Sequence, residues 1–184
     1  ADIGIIEGVM GLFDGKDGRD DYGSTAHVAK ILKLPVILVV DARSMARSAG
    51  ALVYGYERFD PGVKIAGVIF NRVGSVRHYK MLKDAVEAKC KAKVLGYIPK
   101  DEEIKLPERH LGLMMPHEAG AWVRCRMGEA KRTHQKQGQG SKFKKLTSMI
   151  EKFIDVDKVL KLVSTYTHHA SRTRITAFNT HHAS

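Results

Sequence analysis

Four apolar runs, each closed by a polar residue or proline and separated by helix-sized segments, constrain this chain's fold more than any other feature. They are Ile3-Gly4-Ile5-Ile6 before Glu7, Val36 to Val40 before Asp41, Ile65 to Phe70 before Asn71-Arg72, and Val94 to Ile98 before Pro99. Continuous β-branched runs of this length suit strands buried on both faces, as in a parallel sheet. The intervening segments carry helical signals. Ser24 or Thr25 can cap a helix to about Leu34 with Ala26, Ala29, Ile31 and Leu32 inward, and Pro35 ends it. A second helix is expected from Ser44 to about Phe59, where Ser48 to Ala51 are small enough for close packing. A third runs from a Ser75 cap to about Lys89. Strands alternating with such helices predict an α/β fold: three layers, a mostly parallel sheet, helices on both faces and right-handed connections.

After Glu118 the character changes. Residues 120–141 are rich in Gly, Gln, Lys and Arg, with little apolar periodicity. Phe143, Leu146, Met149, Ile150 and Phe153 restore a helical face, and Asp155 can cap a second short helix through Val163. Residues 164–184 are polar, with His168-His169 and His181-His182, and are expected to be a disordered tail. The net charge of +11 belongs mostly to this end. Residues 1–118 carry 18 basic against 16 acidic side chains, and residues 119–184 carry 13 against 4. A tail-borne excess with few interleaved aromatics marks solvated chain, so nucleic acid is not the expected partner. Nor is a membrane, since no apolar run approaches the ~20 residues of a spanning helix. Two cysteines, Cys90 and Cys125, make no disulfide framework and read as free thiols, which points to the cytoplasm.

In an open parallel sheet, ligands bind beyond the carboxyl ends of the strands. Glu7, Asp41 and Asn71-Arg72 all fall there. Glu7 is followed by Gly8, Gly11 and Gly15. A carboxylate at a strand end suits Mg²⁺ held beside phosphate, and the glycines let backbone N–H groups approach an anion. On spacing alone, Glu-Gly at a strand end reads equally well as a turn.

Ile6 to Gly15, read as IEGVMGLFDG, resembles the signature of cobyrinate a,c-diamide synthases. Gly23 to Lys30, Pro35 to Arg43, Ile65 to Ser75 with Arg77-His78, and Leu106 to Leu113 are similar to later blocks of that family, in the same order. The resemblance implies an ATP-binding domain of the dethiobiotin synthetase-like, P-loop class, followed in the family by a glutaminase domain. It also implies an ATP-dependent ligase of cobalamin biosynthesis. ATP and Mg²⁺ would activate the a and c carboxylates of a corrinoid as acyl phosphates, and glutamine-derived ammonia would displace the phosphate. Carried over by position, Glu7 is the Mg²⁺-associated and catalytic carboxylate and Asp14 a second catalytic one. Asn71 reads adenine, while Asp41 and Gly8 lie at the nucleotide. Arg109 and His110 contact substrate, with a surface salt bridge as the equal alternative. Close relatives with the same motif would act on nickel sirohydrochlorin or hydrogenobyrinate. A MinD/ParA-like regulatory ATPase is the alternative from another class, and the full-length enzyme could be a homodimer.

The chain also departs from the family. No G-x-x-x-x-G-K-[ST] occurs in 184 residues. That loop would supply the phosphate cradle. The chain opens inside a strand, so a truncated N-terminus is expected, with the P-loop strand missing. The glutaminase domain is missing too, and Arg124-Cys125-Arg126 lacks the elbow of a glutaminase nucleophile. The expected organisation is a partial ATP-binding domain over 1–118, a basic insertion or linker over 119–142, a helical segment of the same domain over 143–163, and the tail over 164–184. Such a fragment is expected to be inactive alone.

Overall fold

The computed structural model describes residues 3–8, 10–102, 104, 139–166 and 174–181. The chain divides into two units, residues 1–100 with 153–184, and residues 101–152. The first carries β1 (Ile3–Gly8), α1 (Thr25–Leu32), β2 (Val36–Asp41), α2 (Arg47–Phe59), β3 (Ile65–Val73), α3 (Val76–Glu87) and β4 (Lys93–Pro99). It also holds α5 (Val156–Tyr166) and β5 (Arg174–His181). The second unit holds most of α4 (Gln139–Phe153), where Lys145 lies 2.7 Å from Asp101. The units therefore part at 100 and 153 rather than at the expected 118, because Phe153 and α5 pack with the sheet.

Among the described residues five strands form one sheet in the order β1-β5-β2-β3-β4, and every pairing is parallel. This is the expected three-layer α/β architecture. The pleat sorts the core by alternate residues. Val36, Leu38 and Val40 of β2 and Val68 and Phe70 of β3 join Ala49 and Val53 of α2 and Leu82 and Val86 of α3. The intervening residues Ile37 and Ile69 are buried outside that cluster. On that other side, the space over Gly67 is filled by Leu95 and by Leu162 of α5.

The helix boundaries have local causes. Ser24 caps α1 by accepting the His27 N–H at 3.1 Å, and Ser75 caps α3 through the His78 N–H at 3.1 Å. Lys33 ends α1 in the left-handed conformation, φ 53°, two residues before Pro35. The second helix starts at Arg47, not Ser44. Ser44 has φ 59°, which a right-handed helix cannot include, and Met45 instead closes a turn onto the Ala42 carbonyl. Asp155 caps α5 by accepting the Lys158 N–H at 3.0 Å.

Two expectations fail. Ile31 and Leu32 are 65% and 46% exposed, not inward, because only Ala26 and Ala29 of α1 reach the core. The tail was expected to be disordered, but Arg174–His181 form β5, inserted between β1 and β2. Among the described residues β1 is consequently an edge strand with a single partner, and Ile5 is 67% exposed.

Candidate functional site

Parallel pairing sends the carboxyl ends of β1, β2 and β3 the same way, and the register decides how level they stand. Asp41 pairs directly with Asn71. Phe178 of β5 pairs with both Glu7 and Ile37, so Glu7 stands level with Ile37. Ile37 is four residues before Asp41, which places Glu7 about 13 Å lower along the strand direction at ~3.3 Å per residue. Glu7 and Asn71 therefore stand at different levels of the sheet. Asp41 and Asn71 form one station; Glu7 and Gly8 form another.

At the first station the groups are interlocked. Asp41 is 6% exposed, and both of its oxygens are engaged. One accepts the Arg43 N–H at 3.0 Å and the other accepts from the Arg72 guanidinium at 2.9 Å. Both contacts tie Asp41 to its neighbourhood, one to the loop after β2 and the other to the end of β3. Arg72 has φ 59°, an uncommon conformation for a residue with a side chain. The Asn71 side-chain carbonyl accepts the Arg72 N–H at 2.9 Å, and its main-chain carbonyl accepts the Ala42 N–H at 2.9 Å. Sequence reading placed Asn71 here and left Arg72 without a role.

At the second station, Gly8 is fixed by space. A Cβ there would come within 2.5 Å of the Thr25 hydroxyl, so the strand end abuts the first residue of α1. Partial burial raises the Glu7 carboxyl above its usual 4.5. The loop after β1 turns back at Asp14, whose N–H is bonded to the Gly11 carbonyl at 3.0 Å. Phe13 then packs on Tyr56 and Phe59, with ring centroids 5.8 and 4.7 Å apart. Burial, then the Asp14 charge, raises the Tyr56 hydroxyl above 10.0. Tyr56 and Phe59 lie in the last turn of α2, which runs from the carboxyl end of β2 to the amino end of β3. Asp14 is thus drawn toward the amino ends of the strands, away from Asn71. Arg109 and His110 lie outside the described residues.

Two histidines hold the loops that lead into α1 and α3. His27 accepts the Gly23 N–H and His78 accepts the Gly74 N–H, each through Nδ1 at 3.2 Å. The repeated pattern Gly-Ser-x-x-His, at Gly23 to His27 and Gly74 to His78, was the available signal. It resembles a capping box in which imidazole replaces the glutamate.

The described residues place two polar stations along the carboxyl side of the sheet. An amide stands at the Asp41–Asn71 station, and a single carboxylate stands on β1. Among the described residues no cluster of three or more His, Cys, Asp or Glu could hold a metal. Glu7 suits Mg²⁺ where phosphate oxygens complete the shell. The sequence contains no phosphate-cradling loop of the G-x-x-x-x-G-K-[ST] kind.

Residues 7–113 match the family described as CbiA, the CobQ/CobB/MinD/ParA nucleotide binding domain. The chain belongs to this nucleotide-binding family. It is 47% identical over 162 residues to the cobyrinate a,c-diamide synthase of Caldanaerobacter subterraneus subsp. tengcongensis, covering 88% of this chain and 32% of that protein. The enzyme of the same name from Methanosarcina acetivorans is 46% identical over 162 residues, covering 88% and 30%. That from Synechococcus sp. is 51% identical over 121 residues, covering 64% and 26%. The chain spans about a third of the length of these relatives. No solved structure matches it. Among its described residues no helix is long and apolar enough to cross a membrane.

Proposed function

We propose that this CbiA-family chain is part of an ATP-dependent amidoligase that amidates the a and c side-chain carboxylates of cobyrinate. The carboxylate resists attack by ammonia because it is anionic and its oxygen leaves poorly. Phosphorylation by ATP forms an acyl phosphate, ammonia derived from glutamine adds to the carbonyl, and inorganic phosphate departs with the C–O bond. In this reading Asn71 meets the adenine, Glu7 holds Mg²⁺, and Asp14, Arg109 and His110 serve the corrinoid. The phosphate cradle and the glutaminase activity come from chain beyond these 184 residues.

The observation that carries the reading is the Asp41–Asn71 strand-end pair, which leaves an amide at the carboxyl edge of a parallel sheet. The relatives' shared name supplies the reaction. A regulatory ATPase of the MinD/ParA kind would share the strand-end amide, but the relatives named above are all synthases.

The test is a chimera. Residues 7–113 replace their counterpart in the Caldanaerobacter relative, and cobyrinate diamide is measured with ATP, Mg²⁺ and glutamine. Product formation, abolished by Glu7→Gln, is the expected result. A folded chimera that hydrolyses ATP without making amide would overturn the proposal. The isolated chain should bind Mg·ATP more weakly than micromolar by calorimetry.

A further inference from the structure

The outward face of α2 is patterned for a neighbour. Arg47, Ala51, Tyr54, Gly55 and Arg58 lie on one side of the helix, and all five are exposed. Small residues hold the middle of this face. An arginine stands at each end, about 16 Å from the other at the helical rise per residue. Beside it α3 supplies Ala85 and Lys89, and the two helices form an open groove of about 430 Å³ that Gly50 and Ala51 also line. No carboxylate lines this groove. Among the described residues the charged groups of Arg47 and Lys89 have no partner. The Arg58 guanidinium lies over the Tyr54 ring, 5.2 Å from its centroid, which keeps it along the same face.

Gly55 is a separate observation. A glycine inside a helix is less stable than alanine, because the unfolded chain has more freedom to lose. At Gly50 that cost has a structural return, since a Cβ would run into the Ala85 carbonyl. At Gly55 a Cβ would meet nothing within 4 Å. The described residues give no reason for bare backbone there. A helix lying across α2 does, because small residues let two helix axes approach to about 8 Å, the near end of the usual range.

We infer that the α2–α3 groove seats an acidic, small-faced helix from the part of the relatives' polypeptide that this chain does not span. This goes beyond the reaction proposed above and does not depend on it. The chain spans about a third of the relatives' length, which leaves the other two-thirds to supply the helix. Charge decides among the occupants. Three cations and no lining carboxylate call for carboxylates toward the ends of the incoming helix. A second copy offers the wrong charge, because α2 laid on α2 sets arginine against arginine in either direction. The chain's own residues 119–184, with 13 basic against 4 acidic side chains, are wrong in the same way.

The test reads whether residue 51 is covered. Ala51→Cys is placed in the 184-residue chain and in the chimera that carries residues 7–113 in the Caldanaerobacter relative. Alkylation by iodoacetamide is followed at that position by mass spectrometry, at two protein concentrations. The thiol should react freely in the 184-residue chain and about ten-fold more slowly in the chimera, equivalent to ~1.4 kcal/mol of docking. Arg47→Glu combined with Arg58→Glu, and separately Gly55→Leu, should return the chimera to the fast rate. In the 184-residue chain the same substitutions should leave the rate and the urea midpoint nearly unchanged, which separates lost docking from lost folding. Equal rates in chimera and chain would overturn the inference. So would slow labelling that survives the arginine reversals, or that grows with concentration as a second copy requires. Slow labelling in the 184-residue chain would overturn it too, since a segment of this chain would then be the cover. Should the larger graft not fold, Arg47–Phe59 alone replace the matching helix of the relative, and the same comparisons decide.

Discussion

The Lys30 ammonium lies 2.7 Å from the Asp60 carboxylate, joining α1 to the turn that follows α2. It lies equally close, at 2.6 Å, to Asp21 in the loop after β1. The hydrogen bond from Lys30, then the Gly62 N–H, holds the Asp60 carboxyl below its usual 3.8. Bonds to Asp21 and Asp60 raise Lys30 above 10.5. Near the Asp60 titration the unfolded chain therefore binds more protons than the folded one. The carboxylate's contribution is present above 3.8 and disappears as pH falls through the lower folded value. The Lys30 contribution is present below 10.5 and disappears as pH rises through the higher folded value. Lys30→Met should flatten the acid dependence of stability. Urea midpoints at about pH 6 and about pH 3 check this, with wild type losing more than the variant.

Gly50 has no room for a side chain. A Cβ there would sit 2.6 Å from the carbonyl oxygen of Ala85 and 3.2 Å from the Ala85 Cβ, so α2 rests directly on the backbone of α3. Because the nearest atoms are backbone, the helices must separate to admit a methyl. Gly50→Ala should destabilise the fold by about 1–3 kcal/mol, the usual range for overpacking. Denaturant unfolding measures it, and a midpoint equal to wild type would contradict the contact.

Cys90 should be an unreactive thiol. Burial, then the Glu57 charge, pushes its thiol up from 9.0 to about 11. Its sulfur donates to the Gly50 carbonyl at 3.6 Å. Since the thiolate is the reactive species, the folded chain should resist thiol reagents at neutral pH. In a Cys125→Ser background, labelling should accelerate sharply once the chain is unfolded. Glu57→Gln should raise the folded-state rate modestly. It removes the charge while leaving an acceptor for the Lys91 and Ala92 N–H groups that Glu57 now binds.

The Ser24 and Ser75 caps are each expected to contribute about 1 kcal/mol. Ser24→Ala and Ser75→Ala should lower the denaturant midpoint by similar amounts. They sit on separate helices without shared partners, so the double variant should lose the sum within about 0.5 kcal/mol. A strongly non-additive double variant would show that the two loops are coupled through a contact other than the caps.

The caps, the apolar strands and Pro35 were legible because each depends on residues within a few positions of one another. The same holds for Asp155, which caps α5 as its spacing to Lys158 suggests. Asn71 was legible as a strand-end residue, yet the hold of its side-chain carbonyl on the Arg72 N–H was not, because that depends on the conformation of Arg72. Ile31 and Leu32 misled the helical reading, since their burial is a tertiary property that α1 does not supply. The step between Glu7 and Asp41 was also hidden. It is set by the register of β5, and nothing within the β1 block encodes its partner.

Strand β1 depends on β5 for its place in the sheet. Among the described residues Ile3 to Gly8 pair only with Arg174 to Asn179, and β2 takes the other side of β5. Removing residues 167–184 should leave β1 without a ladder and β2 with one open edge. An unpaired edge strand carries a row of unsatisfied N–H and C=O groups. The truncated chain should therefore lose hydrogen-exchange protection at the amides of 4–8 while keeping it at 66–70, where β3 still pairs with β2 and β4. Self-association should increase as the exposed edge of β2 finds a partner, which light scattering detects. Equal protection of β1 in both chains would show that α1, through the Gly8–Thr25 approach, and not β5, holds Glu7 in position.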